Sequence, residues 1–389
     1  MNHSGTVRIN MQFGSRLLTC VLLTTLFAAC SDPDASREFS EVRQVDLEEV
    51  LRLGNEAAGD TVLFSSISGL MVNSRGEIIV EERRRTSIRV LSSDGVYMND
   101  IGGEGEGPGE YRYIGNTVVG SADSVYVWEN LARRVMVYDL NDFFFVRHVV
   151  LDDESVKSFM RLKGIVEAGW IMTMRASPFQ QMDDGTRTIN EDTDYEIRKV
   201  ELDGSYGQEA IATLQDSEMI YYIGEGNRSF GLVDVPFGRD AIWAMGPNDT
   251  FYHGWNDSIH ITVTSVDGSV QGLIRHEHDP VFITAAEMEE AQDLEDELFR
   301  KLLAEREPHK TKPAFETFVV DEAGNVWVKL SSIENATTAD WLILDMESEV
   351  VGRAALPITV TLKVIRNGRA YGTEQQEGED IIVVVYEIQ

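Results

Sequence analysis

The sequence predicts an all-β chain folded as a six-bladed β-propeller, closed by an N-terminal strand and carrying one helical insertion between blades four and five. Three observations predict it: a recurring turn-and-strand signature, a second signature downstream of it, and an unpaired strand-like stretch near each end. A fixed period decides architecture before any single motif does, so the repeat is taken first.

The first signature is a turn residue followed by a short strand-like run. It occurs as "RGEIIVEE" from Arg75, "ADSVYVWE" from Ala122, "AGWIMTM" from Ala168, "NDTFYHG" from Asn248, "GNVWVKL" from Gly324 and "NGRAYGT" from Asn367. Each has the Gly, Asp or Asn that a turn demands, then alternating apolar and aromatic residues. The second signature is a strand ending in an Asp-Gly-like hairpin turn, as in "IRVLSSDG" from Ile88, "VMVYDLND" from Val135 and "ITVTSVDG" from Ile261. Asp94, Asp142 and Asp267 stand at matching distances from Gly76, Ser124 and Asp249, so units one, two and four align without gaps. Unit three needs an insertion, and residues 177 to 195 supply it.

A repeat of about 45 residues with four short strands describes a propeller blade, and six starts imply six blades. The last unit stops at a third strand, "DIIVVVYEIQ", while "REFSEVRQVDLEEV" is a spare strand before the first unit. The N-terminal strand is therefore expected to complete the last blade, which leaves no loose terminal blade to unravel. An open-ended solenoid is the alternative.

"TAAEMEEAQDLEDELFRKLLAEREPHK" departs from the β pattern. Thr284 and Glu287 have capping-box spacing, and Met288, Ala291, Leu294, Leu298 and Leu302 recur every three or four places. An amphipathic helix is expected over about 284–307, as a structural insertion on the propeller rim, a cap over one channel mouth, or a docking helix.

The domain is expected over residues 40–389, preceded by a targeting segment over 1–29 and a polar tether over 30–39. Arg8 and Arg16 precede the apolar run "LLTCVLLTTLFAAC", and no Asp or Glu occurs before Asp32. A short apolar run after positive charge reads as a secretory signal. Its end, Leu26-Phe27-Ala28-Ala29-Cys30, resembles a bacterial lipobox, with Phe27 replacing the usual aliphatic residue. Cys30 is then the lipidated N-terminus, the membrane is a partner through that lipid, and the protein is exported and anchored in the envelope. The outer membrane is the expected location, on its periplasmic or surface face. Met11 is an alternative start to Met1.

A net charge of −32 excludes a nucleic-acid footprint. No EF-hand pattern accompanies the acidity, so no cofactor is predicted, although calcium remains possible. The stretch "IGGEGEGPGEYRY" invites comparison with a phosphate-binding loop. Its glycines miss both the dinucleotide and P-loop spacings, Glu104, Glu106 and Glu110 would repel phosphate, and no helix follows. Gly102, Gly103, Gly105, Gly107, Pro108, Gly109 and Tyr111 are read instead as a joint between blades one and two, with Tyr111 plugging the seam.

Catalytic signals are sparse. No G-x-S-x-G elbow is present. His276 and His278 form an H-x-H pair on an outer strand, and His253 is placed near the first strand of blade four, facing the channel. Arg84 (within Arg83-Arg84-Arg85, between the first two strands of blade one), Arg134, His253 and Trp255 are the candidate ligand-binding residues.

"DGVYMNDIGGEGEGPGEYRY" after "IVEERRRTSIRVLSS", together with "VVDEAGNVWVKL" and "NGRAYGTEQQEGEDIIVVVYEI", resembles the bacterial six-bladed β-propeller lipoproteins, similar to NHL-repeat and TolB-like propellers. The resemblance spans residues 40 to 389 and implies the fold and an envelope location. It leaves two functions open. One is a non-enzymatic scaffold for an envelope protein, peptide or glycan, which is preferred; the other is an NHL-type hydrolase or lyase with channel-bound metal, calcium rather than zinc.

Overall fold

Short strands separated by tight turns assemble into six four-stranded antiparallel sheets. The computed structural model describes residues 42–389 apart from 55–61, 65, 83–85, 121–122, 152–158, 191–192, 208, 225–229, 294–296 and 376–380. Five sheets are formed by consecutive chain segments, from Gly69–Val72 through Tyr97–Ile101, Ile114–Val119 through Phe144–Val150, Phe159–Val166 through Ala212–Leu214, Ala241–Met245 through Val270–His276, and Phe315–Val320 through Val350–Pro357. The sixth takes Val360–Arg366, Arg369–Gln375 and Ile381–Ile388 from the C-terminus and receives Leu47–Leu53 as its outermost strand. Leu47 pairs with Ile388 and Leu53 with Val383, so the first described strand closes the ring.

Apolar faces are buried between neighbouring blades. Tyr111 with Tyr138 fills the seam between blades one and two, and Trp128 with Trp170 fills the next. Trp341 lies between blades five and six, and Tyr371 packs between blades six and one. These side chains are fully buried, which makes the inter-blade seams the core of the molecule.

The blade phase differs from the sequence expectation by one strand. "GEIIVEE" and its equivalents form the second strand of each sheet, because a short inner strand such as "GLMV" or "AIWAM" precedes every one. Those inner strands are four to eight residues long and lack the flanking turn chemistry that marks the others.

Blade three carries its expected insertion as a hairpin, Phe179–Gln181 paired with Arg187–Ile189. A second hairpin, Met219–Ile223 with Phe230–Asp234, stands between blades three and four and has no counterpart in the repeat read from sequence. The helical insertion comprises α1, Ala285–Gln292, and α2, Glu297–Ala304, and Leu294 falls outside the described residues. The Thr284–Glu287 capping box is present, but α1 buries no residue, so its expected apolar stripe is not used. The packed side belongs to α2, where Leu303, Phe299 and Leu302 meet Ile220, Val233 and Tyr222 of the second hairpin, while Leu298 is exposed.

Candidate functional site

Strand direction alternates within a blade, so two kinds of connection share one face of a propeller. They are the turns from second to third strand and the crossings from fourth strand to the next blade. Both hairpins and the helical insertion interrupt connections of these kinds. All three therefore rise from the same face, around blades three to five, and form a cap there.

The cap is held by aromatic and ionic contacts. Phe179 of the first hairpin meets Phe230 and Tyr221 of the second at centroid distances of 4.8 and 6.0 Å, and Arg187 lies 4.1 Å over the Phe230 ring. Tyr222 meets Phe299 of α2 at 5.4 Å. At the base, Arg175 ends the second strand of blade three and donates from Nη1 to Asp216 Oδ2 at 2.5 Å. Tyr221 donates its hydroxyl to the same oxygen at 2.5 Å, and the Arg175 guanidinium sits 5.0 Å from the Tyr195 ring. Arg175 and Asp216 are both buried. A second link pairs His309 Nε2 with Glu218 Oε2 at 2.6 Å, joining the helix exit to the hairpin stem.

Beneath the cap lies the channel mouth. The inner strands of blades two, three, five and six each contain a β-bulge in their pairing with the second strand. The extra residues are Gly115, Lys163, Glu316 and Lys363. A bulge re-aims a side chain that would otherwise point into a neighbouring blade. Lys163 lies between buried Leu162 and Gly164, and its Nζ rests 4.1 Å over the Trp243 ring of blade four. Burial first, then the adjacent Arg161 cation, lowers the Lys163 pKa to about 8, against the opposing pull of Asp240. Lys363 is also lowered, by burial and then by Lys329, whose own ammonium is paired with Glu316 at 2.9 Å.

Two clefts of about 200 Å³ each open here and share Arg161, Thr173 and Tyr195. One adds Lys163, Ser217, Asp240 and Trp243; the other adds Tyr113, Asn130, Phe159 and Arg175. Burial raises the Tyr195 pKa, so its hydroxyl remains a donor. Asp240 Oδ1 accepts from Ser217 Oγ at 2.6 Å. The mouth thus combines an exposed guanidinium, a half-buried amine, three hydroxyl side chains and a Trp face.

The candidates read from sequence that the structure describes fall elsewhere. His253 lies on the second strand of blade four, not the first; its Nε2 contacts Thr264 Oγ1 at 3.1 Å within the blade, and its ring stacks on Phe251 at 5.3 Å. Burial lowers its pKa. Trp255 ends that strand opposite Ala241. Arg134 is committed structurally, bonding Glu129 Oε2 at 2.5 Å and the Glu110 carbonyl at 2.9 Å. Arg84 lies outside the described residues, in the link between the second and third strands of blade one. Cys30 also lies outside them, with the rest of residues 1–41. His276 and His278 line a larger cleft of about 820 Å³ between blades four and five, with Asp279, Asp340 and Arg353. Burial lowers both imidazole pKa values, and the charges around them are mixed. Among the described residues no three His, Cys, Asp or Glu side chains gather in a group that could hold a metal ion.

The glycine-rich stretch runs from the outer strand of blade one to the inner strand of blade two. Tyr111 is fully buried and donates its hydroxyl to the Ile101 carbonyl at 2.6 Å. A Cβ on Gly102 would collide with the Tyr111 ring, and Gly109, at φ +79°, has Phe145 Cβ only 2.8 Å from where its own would stand. Gly103, Gly105, Gly107 and Pro108 complete the turn, in which the Gly107 amide donates to Glu110 Oε2 at 2.8 Å.

No sequence signal marks Arg161 and Lys163. The period-two alternation of "FMRLKGIV" is legible, but the bulge that redirects Lys163 depends on its partner strand.

Fold and mouth together define a six-bladed β-propeller protein with a capped, cationic channel mouth. Residues 49–224 match a family model, DUF5128, described as a 6-bladed beta-propeller. Among solved structures, a member of the DUF4221 family from Bacteroides vulgatus superposes with a TM-score of 0.53 at 9% identity, covering 90% of this chain and 99% of that one. A Bacteroides fragilis protein described as exported gives 0.48 at 9% identity over 90% and 96% of the two chains. Virginiamycin B lyase from Staphylococcus aureus gives 0.41 at 13% identity over 88% and 99%. No curated protein matches the chain by sequence. At these identities the likeness is one of fold.

Proposed function

We propose that the protein is a lipid-anchored envelope protein whose propeller is a non-catalytic binding scaffold. Its ligand is a carboxylate-bearing peptide or glycan, received at the capped mouth over blades two to four. The observation that carries this reading is the pairing of Arg161 with Lys163. Like charges held side by side cost stability unless something neutralises them, and this pair stands in a protein whose net charge is −32. Tyr195 and Trp243 add a hydrogen-bond donor and a stacking face, the mix typical of a ligand site. A guanidinium is well matched to a carboxylate.

Calorimetric titration of the mature protein with acidic and neutral peptides and glycans tests the reading. Binding is expected only for the acidic members, weakening with salt, and falling about tenfold or more in Arg161→Met. Equal binding of neutral members would refute the anion site, and stoichiometric calcium in the purified protein would favour the metal-dependent alternative.

Anchoring rests on Cys30 and the apolar run before it. Cys30→Ser is expected to abolish acyl labelling and to release the protein from membranes or leave uncleaved precursor. Unchanged processing with continued membrane retention would count against the anchor.

A further inference from the structure

We infer that Lys163 is a nucleophilic amine that condenses reversibly with the carbonyl of an α-keto acid whose carboxylate is held by Arg161. The inference rests on the mouth being an anion site and adds a covalent step to it. A lysine becomes a nucleophile when an apolar surface and a neighbouring cation disfavour its charged form. Lys163 has both: burial in the strand beside Leu162 and Gly164, which outweighs the cation–π attraction of the Trp243 face at 4.1 Å, and Arg161 on the same strand and in the same cleft. Its counter-charge is outweighed, because Asp240, the carboxylate that favours the ammonium, acts on Lys163 less than burial and Arg161 do. Lys329 makes the contrast, since its ammonium is bound to Glu316 and to the Ile358 carbonyl.

The reaction balances without an oxidant or reductant. The free amine forms an Nζ–C bond as the carbonyl oxygen takes up a proton. The C–O bond then breaks, and that oxygen leaves as water with protons from the amine and the medium. Overall, an ammonium and a ketone give a protonated imine and one water. Tyr195, held protonated by burial, lines the same cleft and offers a proton to the carbonyl oxygen.

Reductive trapping tests the inference. The mature protein is treated with pyruvate and cyanoborohydride at pH 7, and each lysine is quantified by peptide mapping. With a pKa of about 8, Lys163 is expected to label on the order of 10²-fold faster than the exposed Lys310. Acetone, which has the carbonyl but no carboxylate, is expected to label it roughly tenfold more slowly than pyruvate. Lactate, which has the carboxylate but no carbonyl, is expected to compete. Arg161→Met should erase the preference for pyruvate over acetone and Arg161→Lys restore part of it. Lys163→Arg should still bind lactate in calorimetry.

Labelling of Lys163 no faster than Lys310 overturns the inference, and lactate binding measured alongside shows whether the anion site survives it. Equal labelling by acetone and pyruvate with no lactate binding overturns Arg161's part and the anion site together. The mapping uses the unaltered chain, so a poorly folding variant does not obstruct the test.

Discussion

Lys163 is held where a positive charge is least welcome, and its titration should register in the stability of the fold. Its folded pKa, about 8, lies below the value of an unfolded lysine. Between those two values the unfolded chain binds more protons than the folded one, so stability rises with pH from about 8 to about 10. Below the folded pKa that contribution is absent. Lys163→Met should flatten this rise and stabilise the protein at pH 7 by about 1–2 kcal/mol, allowing for screening of a half-buried amine. Denaturant titrations of both proteins at pH 7, 9 and 10.5 check the sign. Tyr111 makes a different prediction. Tyr111→Phe deletes the donor to Ile101 and should cost about 1 kcal/mol, whereas Tyr111→Ala empties the seam and should cost about 3–5 kcal/mol. Tyr111 can be placed from sequence because a glycine-rich link needs a plug and Tyr111 is the first aromatic residue after the glycines. Lys163 cannot, because its place in the cleft is created by a bulge in pairing with a strand that begins several residues later.

At the scale of elements, the cap has a stem and a roof with separate energetics. The stem is the buried pair Arg175–Asp216, shared with Tyr221. Asp216→Asn removes the charge that compensates a buried guanidinium and should cost about 3–5 kcal/mol in denaturant unfolding. The roof rests on Leu303 against Ile220 and Val233. Leu303→Ala should loosen it by about 2–3 kcal/mol, read as faster amide exchange confined to residues 219–234 and α2 while the blades keep their protection. Second and third strands are legible in the sequence because Asp-Gly and Asn-Gly turns are local chemistry. Inner strands such as "AIWAM" escape it because a short run packed on both faces shows no alternation to read, and even the alternating "FMRLKGIV" lacks flanking turn chemistry. The 219–234 hairpin does carry a usable signal, "MIYYIGEGNRSFGLVD", with apolar runs on either side of a glycine turn. The helix is recognisable from its capping box, but its buried face depends on that hairpin, a partner distant in the chain.

For the whole molecule, closure depends on one ladder. Leu47–Leu53 supplies the outer strand of blade six, and the Gln389 amide donates to the Asp46 carbonyl at 3.0 Å. A chain lacking residues 42–53 should melt with lower cooperativity and self-associate through the exposed strand Ile381–Ile388, as seen by light scattering. Adding a peptide of residues 42–53 should restore the monomer. The same ladder also sets an order in time. Arg43 bonds the carbonyl of Gln389, a partner 346 positions later. Leu47–Leu53 must therefore wait for the last strand of the domain before its place exists. Throughout that interval it is free to enter the unfinished ring of a neighbouring chain. Exchange between unfolded copies competes with closure, and their local concentration sets the balance.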